Sequence, residues 1–335
     1  MTTSSATSAN SLSTVLQNAW GLIKKIPPVY PVFVIIFLVL GFLNPVKYQS
    51  MEGIMTFLRT ASPLAVLAIG EMFVLAIGGF DLTVGAIVTF VVLVSSKLLA
   101  NDPANAFPSI MIMLGAGVLI GLTNGLVVSY LRVPSFITTL GMMLLVRGSA
   151  LYYVGGAPQG YLTDNWRAFG RNYFENVPVF GRVPYAFIIL IVIGVISFIA
   201  FHRTNFGKQI LAIGDNVRAS ILSGVRVKLV RVLAFIICAV LAIIGGIVIG
   251  GYGGVNVTIG EGLEMQAIAA CVVGGVLLGG GRGNVMNVIF GACTLQAIVN
   301  LLNLLGLPKP YTDVVQGLII IGAVAYVGLS SQKKR

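Results

Sequence analysis

Long, continuous apolar runs dominate the pattern of hydrophobic and polar positions along the chain. A run of about 18 residues or more is long enough for an α-helix to cross the hydrocarbon core of a bilayer. Because the runs do not alternate between apolar and polar residues, they favour helices over a membrane β-barrel. The pattern predicts about ten spans: residues 27–43, 54–79, 82–100, 109–131, 134–154, 184–202, 230–250, 263–280, 285–305 and 312–330.

The composition supports this class. Of the 335 residues, 57% are hydrophobic and only 9% are charged, and the mean hydropathy is +0.98. A soluble chain of this length needs far more charge to cover its surface. The 41 glycines fit helices that pack closely within a membrane. The sequence therefore predicts an all-α, polytopic integral membrane protein of about ten transmembrane helices with a short cytoplasmic helix.

The positive charges predict the orientation. The net charge of +11 would suggest nucleic-acid binding in a soluble protein, but here the enrichment of Lys and Arg in cytoplasmic loops explains it, and no nucleic-acid partner is expected. Lys24 and Lys25 precede the first span and the Lys-Lys-Arg of 333–335 follows the last, so both termini are predicted to be cytoplasmic and the loop 155–183 external. The interpretation divides the chain into a polar tail (1–26), a transmembrane domain (27–330) and a basic tail (331–335).

A polar, basic segment, "AIGDNVRASILSGVRVKLVR", interrupts two apolar runs at Ala212–Arg231. Within it, "GDNVRASILSG" predicts a short helix, because Asp215 or Asn216 can cap the N-terminus and Gly224 suits the position just past the end. The predicted orientation places this helix in the cytoplasm. From the residues alone, two interpretations stand: a charged loop that only fixes topology, or a docking helix for a cytoplasmic partner.

Five blocks of the chain resemble the permease subunits of bacterial ABC importers of the ribose, galactose and xylose type, in the superfamily that also holds branched-chain amino acid and nucleoside permeases. "FGKQILAIGDNVRASILSGVRV" resembles their cytoplasmic coupling segment. "GGFDLTVGA", "NGLVVSYLRVPSFITTLGMM", "GEGLEMQAIAACVVGGVLLGGGRG" and "NLLGLPKPY" resemble further blocks in the same order, from about residue 50 to 328. The family pattern is not followed at Ser220, Asp215, Leu263 and Gln266.

The resemblance implies a permease subunit of the bacterial cytoplasmic (inner) membrane that forms the translocation pathway for a small polar solute, in the first place a monosaccharide. Its implied partners are cytoplasmic ABC ATPase subunits, an extracytoplasmic solute-binding protein, a second permease copy or related permease, and the lipid bilayer. The chain itself would be no enzyme and hold no cofactor, because the partner ATPase uses the ATP and Mg²⁺. The implied ATPase-coupling residues are Gly214, Asp215, Asn216, Ala219, Ser220, Ser223 and Gly224.

Two alternatives remain open at this point. Gln266 stands where the family usually has Asp, which keeps a nucleoside or branched-chain amino acid importer in view. Glu71 and Asp81 lie within or between apolar runs, where carboxylates are costly and often functional, so an ion-driven secondary carrier is a second alternative. An intramembrane enzyme is disfavoured, because no paired catalytic residues occur at comparable depth.

Several polar residues are candidates for the translocation pathway or a gate. Asp81 either caps the third span at a membrane interface or holds a helix break that lines a pathway. Glu264 is either an ordinary first-turn acid of the eighth span or a gate residue at an external mouth, close to Gln266. The deeply set Glu71 needs a partner, for which Arg59 or Arg147 are expected.

Neutral polar groups and cysteines complete the set. Asn124 lies in the fourth span, and Gln296 and Asn300 share a face of the ninth, where they either line a path or bond neighbouring helices. The three cysteines lie in apolar spans and are expected to be free thiols, and with a single histidine no metal site is predicted. "GGGRGN" (279–284) lacks the Lys-Ser/Thr of a phosphate-binding loop and is interpreted as a glycine-rich turn.

Overall fold

The computed structural model describes residues 27–308, 310–311, 313–318 and 321–322. The two predicted tails (1–26 and 331–335) and much of the predicted tenth span (312–330) lie outside the described residues. The helices are α1 (Val29–Leu43), α2 (Pro45–Tyr48), α3 (Met51–Ala76), α4 (Thr83–Leu98), α5 (Ala106–Tyr130), α6 (Ser135–Tyr153), α7 (Asp164–Arg171), α8 (Tyr185–His202), α9 (Asn205–Asp215), α10 (Val217–Leu222), α11 (Val227–Gly253), α12 (Leu263–Val273) and α13 (Val285–Leu304), with a hairpin of β1 (Tyr173–Val177) and β2 (Gly181–Pro184).

Six helices of the described chain are long and apolar enough to cross a membrane: α3, α5, α6, α8, α11 and α13. This confirms the predicted all-α, polytopic class, whereas the count of ten is not confirmed. The outer faces of α5, α6 and α8 expose large apolar side chains, such as Leu119 at 64%, Leu144 at 62% and Ile196 at 61%. Such faces suit a hydrocarbon environment.

Two predicted spans form short helices: α4 lies within two residues of its predicted bounds, whereas α12 ends seven residues before the predicted 280. α4 has 16 residues and α12 has 11, so they extend about 24 Å and about 17 Å at a rise of 1.5 Å per residue. Both are shorter than the bilayer core of about 30 Å. Glycine explains the early end of α12, because the chain turns there at Gly275 (φ +82°), in a backbone conformation that favours glycine. The chain also turns at Gly78 (φ +78°), before α4.

The long helix α11 lies at the centre and packs against α3, α4, α5 and α7. Glycines permit its closest approach to α5. A Cβ atom on Gly121 would lie 2.6 Å from the Ile236 Cα, and one on Gly125 would lie 2.6 Å from the Val232 Cα. Small residues at such contacts let helix backbones meet, which is how helices associate where lipid removes the hydrophobic driving force.

The segment 155–183, predicted only as an external loop, has structure of its own. It contains α7 and the first strand of the hairpin. Trp166 is fully buried, and the Arg167 Nε atom donates a hydrogen bond of 3.0 Å to the carbonyl oxygen of Gly251, near the C-terminal end of α11. The segment therefore covers this end of the bundle as a fixed cap.

Candidate functional site

The segment that resembles a coupling segment forms two helices, α9 and α10, with Asn216 between them. The Asn216 Oδ1 atom accepts a hydrogen bond of 3.0 Å from the Ala219 N–H. Asn216 is therefore the cap of α10, whereas Asp215 is the last residue of α9. The helix predicted within "GDNVRASILSG" thus spans only Val217–Leu222, because the Asn216 backbone is extended (φ −154°) and breaks the helical path.

α10 presents apolar side chains outward. Leu222 is 84% exposed and Ile221 is 58% exposed, and Ala219 is also exposed. Ser220 faces inward, where it is 4% exposed and its hydroxyl donates to the Asn216 carbonyl oxygen at 2.9 Å. An exposed apolar face on so short a helix is typical of a surface that another protein covers.

The end of α10 is fixed by a hydrogen-bonded turn. After the exposed Ser223, Gly224 has a φ of +79°, and its N–H donates to the Ile221 carbonyl oxygen at 3.0 Å. The Val225 N–H donates to the Ser220 carbonyl oxygen, also at 3.0 Å. This is the Schellman arrangement, and it holds α10 at a defined angle to α11.

Part of this segment contacts the bundle through backbone atoms, at a place that we call the glycine junction (Ala76, Gly78, Gly214, Gly280 and Gly281). The Gly281 N–H donates to the Ala76 carbonyl oxygen at 2.9 Å. A Cβ atom on Gly214 would overlap that same oxygen and the Gly281 nitrogen. A Cβ atom on Gly280 would lie 2.8 Å from the Gly214 Cα and 2.8 Å from the Gly78 nitrogen. The segment, the end of α3 and the turn after α12 therefore meet without side chains between them.

Sequence reasoning missed most of this junction. Gly214 was singled out as a motif match, but "GGGRGN" was interpreted only as a turn, and nothing in its spacing points to α9. The available signal for the junction was that its four glycines lie near helix ends and within the sequence blocks that resemble the family.

A second group of polar residues lies deep inside, and we call it the interior polar cluster (Glu71, Asp81, Thr83, Asn124 and Cys238). Each of its side chains is at most 1% exposed. The Thr83 N–H donates to Asp81 Oδ1 at 3.0 Å, and the Thr83 hydroxyl contacts the same oxygen. The Asn124 amide donates to the Thr83 hydroxyl at 3.4 Å. The cluster therefore joins α5 to the start of α4.

The two acidic residues of the cluster, Glu71 and Asp81, are joined by a hydrogen bond from a backbone N–H. The Asp81 N–H donates to Glu71 Oε1 at 3.1 Å, and the Cys238 thiol donates to Glu71 Oε2 at 3.7 Å. Asp81 thus holds the start of α4 and is fully buried within the bundle. Asp81 Oδ2 and Asn124 Oδ1 have no hydrogen-bond partner among the described residues.

The expected pairing of Glu71 with an arginine is wrong. Arg147 forms its ion pair with Glu261, and Arg59 lies over the rings of Tyr173 and Tyr252, at 5.5 Å and 5.9 Å from their centroids. The physical reason is that a carboxyl group of this depth is satisfied more simply by the N–H of a nearby helix break than by a long cationic side chain.

The start of α12 lies against α4. A Cβ atom on Gly85 would overlap Glu264 Oε2 and the Gly260 carbonyl oxygen, and the Gly260 N–H donates to the Thr89 hydroxyl at 3.2 Å. Glu264 thus lies beside the first turn of α4. Gln266, two residues on, faces a separate cavity of 580 Å³ lined also by Thr258, Glu261 and Gln316.

The remaining pathway candidates pair with each other. The Gln296 side-chain amide donates to Asn300 Oδ1 at 3.1 Å, along one face of α13. The structure thus brings Asp81 and Asn124 together in the interior polar cluster. It places Glu264 and Gln266 on α12. Gln296 and Asn300 form a separate pair on α13. In the part of the chain that the structure describes, no three His, Cys, Asp or Glu side chains are arranged to hold a metal ion.

Comparison with known proteins shows the family of this chain. The profile of the family described as branched-chain amino acid transport system, permease component, matches residues 53–324. The chain belongs to this family. This permease is 34% identical to the ribose import permease protein RbsC of Bacillus subtilis (strain 168) over 310 residues, which cover 91% of this chain and 92% of the relative. No solved structure matches this chain.

Two further relatives agree. The permease is 33% identical to the galactose/methyl galactoside import permease protein MglC of Escherichia coli (strain K12), covering 92% of this chain and 95% of the relative. It is 31% identical to the ribose import permease protein RbsC of the same organism, covering 83% and 86%. The resemblance predicted from the five sequence blocks is confirmed.

Proposed function

We propose that this chain is the transmembrane permease subunit of an ATP-driven ABC importer, and that its solute is a monosaccharide. The observation that carries the proposal is α10, a capped helix whose apolar face is exposed and which directly follows α9, where Gly214 meets the bundle at the glycine junction. The relatives named for ribose and galactose import support the solute class. The multi-pass helical fold supports the location of this chain in the cytoplasmic membrane.

In this proposal α10 docks on a cytoplasmic ATPase subunit, which uses ATP and Mg²⁺. A transport cycle requires that the ATPase contacts α10 differently in its two states, since a partner that binds both states equally shifts nothing. Movement of α10 then reaches Ala76 and Gly281 directly, because Gly214 contacts both through backbone atoms. α3 and the α12 turn would therefore move with the docking helix.

The solute path is assigned to the end of the bundle near α12. The cavity beside Gln266 has polar groups from Thr258, Glu261 and Gln316, which suit the hydroxyl groups of a sugar. A second permease, as a copy or a related chain, and a soluble binding protein complete the proposed importer. The family description, which names branched-chain amino acids, keeps that solute class as the second candidate.

The experiment that tests the proposal is solute uptake into proteoliposomes. The permease is reconstituted with its ATPase and its binding protein, and a panel of monosaccharides, nucleosides and branched-chain amino acids is offered. We expect ATP-dependent uptake of a monosaccharide that persists when an uncoupler removes ion gradients. Uptake that stops with the uncoupler while ATP is maintained would instead establish the ion-driven carrier.

A labelling experiment tests the proposed orientation, with both termini cytoplasmic. Asn172, beside the hairpin, and Asp215, beside α10, are both exposed, so a cysteine introduced at either is chemically accessible. We expect a membrane-impermeant thiol reagent added outside intact cells to label Asn172→Cys and not Asp215→Cys. The native Cys238, Cys271 and Cys293 are buried and provide a low background. The reverse labelling pattern would exclude docking of α10 on a cytoplasmic ATPase.

A further inference from the structure

A second cavity, of 860 Å³, lies beside α10 and is lined by four basic side chains. It opens between the C-terminal end of α5 and the N-terminal end of α11, and it includes Val217 and Ile221 of α10. We call it the basic cavity. Its cations are Arg132, Arg226, Lys228 and Arg231.

The charge of the basic cavity is not balanced by the protein. No Asp or Glu is among the residues that line it. Within the described residues, Arg132, Arg226 and Arg231 take part in no ion pair, and the Lys228 Nζ atom lies 4.6 Å from the Tyr130 ring centroid. Four neighbouring cations without a counter-charge repel one another, so an anion in this cavity relieves that repulsion.

One of these cations lies at a strained backbone position. Arg132 has a φ of +60°, a conformation that is unfavourable for a residue with a side chain. It lies in the short turn between α5 and α6, followed by Val133 and Pro134, which also line the cavity. A conformation of this kind persists where surrounding structure holds it, often at a binding site.

The inner part of the same cavity is apolar. Ile77, Val128 and Phe235 line it, and Leu229, at its edge, is 47% exposed. A ligand that fits must therefore carry a negative group at one end and an apolar portion at the other. An acidic side chain of a docked protein satisfies only the first requirement, whereas a phospholipid satisfies both.

We propose that the basic cavity binds an anionic phospholipid, with its phosphate among Arg132, Arg226, Lys228 and Arg231 and the first part of an acyl chain against Ile77, Val128 and Phe235. Basic pockets between transmembrane helices at the cytoplasmic side bind anionic headgroups by this chemistry. Because Val217 and Ile221 line the same cavity, the bound lipid contacts one edge of the exposed face of α10. The lipid thereby supports the docking helix, whichever solute is transported.

The test measures lipid binding to the purified full-length permease by native mass spectrometry. Phosphatidylglycerol and phosphatidylcholine with identical acyl chains are titrated, and inorganic phosphate is added as a competitor. We expect phosphatidylglycerol to bind at least about tenfold more tightly than phosphatidylcholine, and millimolar phosphate to leave this binding unchanged. Equal binding of both lipids, or full displacement by phosphate, would overturn the assignment.

Paired variants locate the site. Arg132→Gln with Arg231→Gln should weaken phosphatidylglycerol binding about 30-fold, since each basic residue near a membrane surface contributes about one kcal/mol of attraction. Arg203→Gln with Lys208→Gln removes the same charge from exposed positions outside the cavity, and it should leave binding within about twofold. Arg132→Lys with Arg231→Lys keeps the charge and should retain most of the affinity.

Two outcomes would overturn the proposal. One is an equal loss of affinity in both Gln pairs, which would show that lipid binding depends on the overall positive charge of the protein and not on the basic cavity. The other is complete loss of the lipid when the ATPase subunit binds, which would assign the cations to acidic residues of that partner. Variants are compared only when they elute as monodisperse protein, and the Lys pair controls for misfolding.

Discussion

Gly214→Ala is expected to reduce binding-protein-stimulated ATP hydrolysis by at least about tenfold, because a single methyl group has no space at the glycine junction. It would overlap the Ala76 carbonyl oxygen and the Gly281 nitrogen, and both are backbone atoms that cannot rotate away. Overpacking of this kind costs about 1–3 kcal/mol. If one conformational state of the permease bears this cost and the other does not, the population of the first falls about tenfold for each 1.4 kcal/mol. The measurement is hydrolysis by the reconstituted importer with loaded binding protein.

A neighbouring glycine provides the matched control. Gly279 lies in the same turn as Gly280, and a Cβ atom there would meet nothing within 4 Å. Gly279→Ala should therefore leave stimulated hydrolysis within about twofold of the wild-type rate. Assembly of the permease with its ATPase is measured separately, by co-purification. Full stimulation in Gly214→Ala would mean that α10 communicates with the bundle by another route.

Asp81→Ala should destabilise the permease by about 3 kcal/mol, because it leaves the Thr83 N–H without an acceptor inside the bundle. Asp81 is 0% exposed, so water cannot replace the lost oxygen without opening the structure. The measurement is the midpoint of thermal unfolding in detergent. Asp81→Asn keeps one side-chain oxygen and should lose less than half as much stability.

Glu71→Gln separates a structural role of the cluster from a proton-carrying one. The amide oxygen can still accept from the Asp81 N–H, as the Glu71 carboxyl does at 3.1 Å, so stability should change by less than about 1 kcal/mol. We also expect ATP-driven uptake to remain near wild type. Loss of uptake by a fully folded Glu71→Gln protein would show that a titrating carboxyl is needed, as in an ion-driven carrier.

The parts of the fold that were predictable from sequence are those governed by continuous runs and local capping. The apolar runs predict α3, α5, α6, α8, α11 and α13 within a few residues. Asn216 and Gly224 predict the two ends of α10, since an Asn cap and a glycine at positive φ act within one turn of chain. These features depend on neighbours in sequence and so can be recognised there.

The parts that were not predictable depend on approach between distant segments. The end of α12 is set by where Gly275 turns the chain, which hydropathy does not report. The partner of Glu71 is a backbone N–H, and a search for cationic side chains overlooks it. The glycine junction brings together residues 76, 214 and 281, and glycines leave no pattern that would link them.

The two short helices also place two helix starts side by side inside the protein. A helix begins with four backbone N–H groups that its own turns cannot satisfy, and α4 and α12 begin beside each other, at Gly85 and Glu264. Groups of the protein accept some of these N–H groups, because Thr83 donates to Asp81 and Leu263 donates to the Gly260 carbonyl oxygen at 3.2 Å. The Gly260 N–H, just before α12, donates to the Thr89 hydroxyl of α4. A change that moved α12 away from α4 would leave this buried N–H without its acceptor, so the positions of the two helix starts depend on each other.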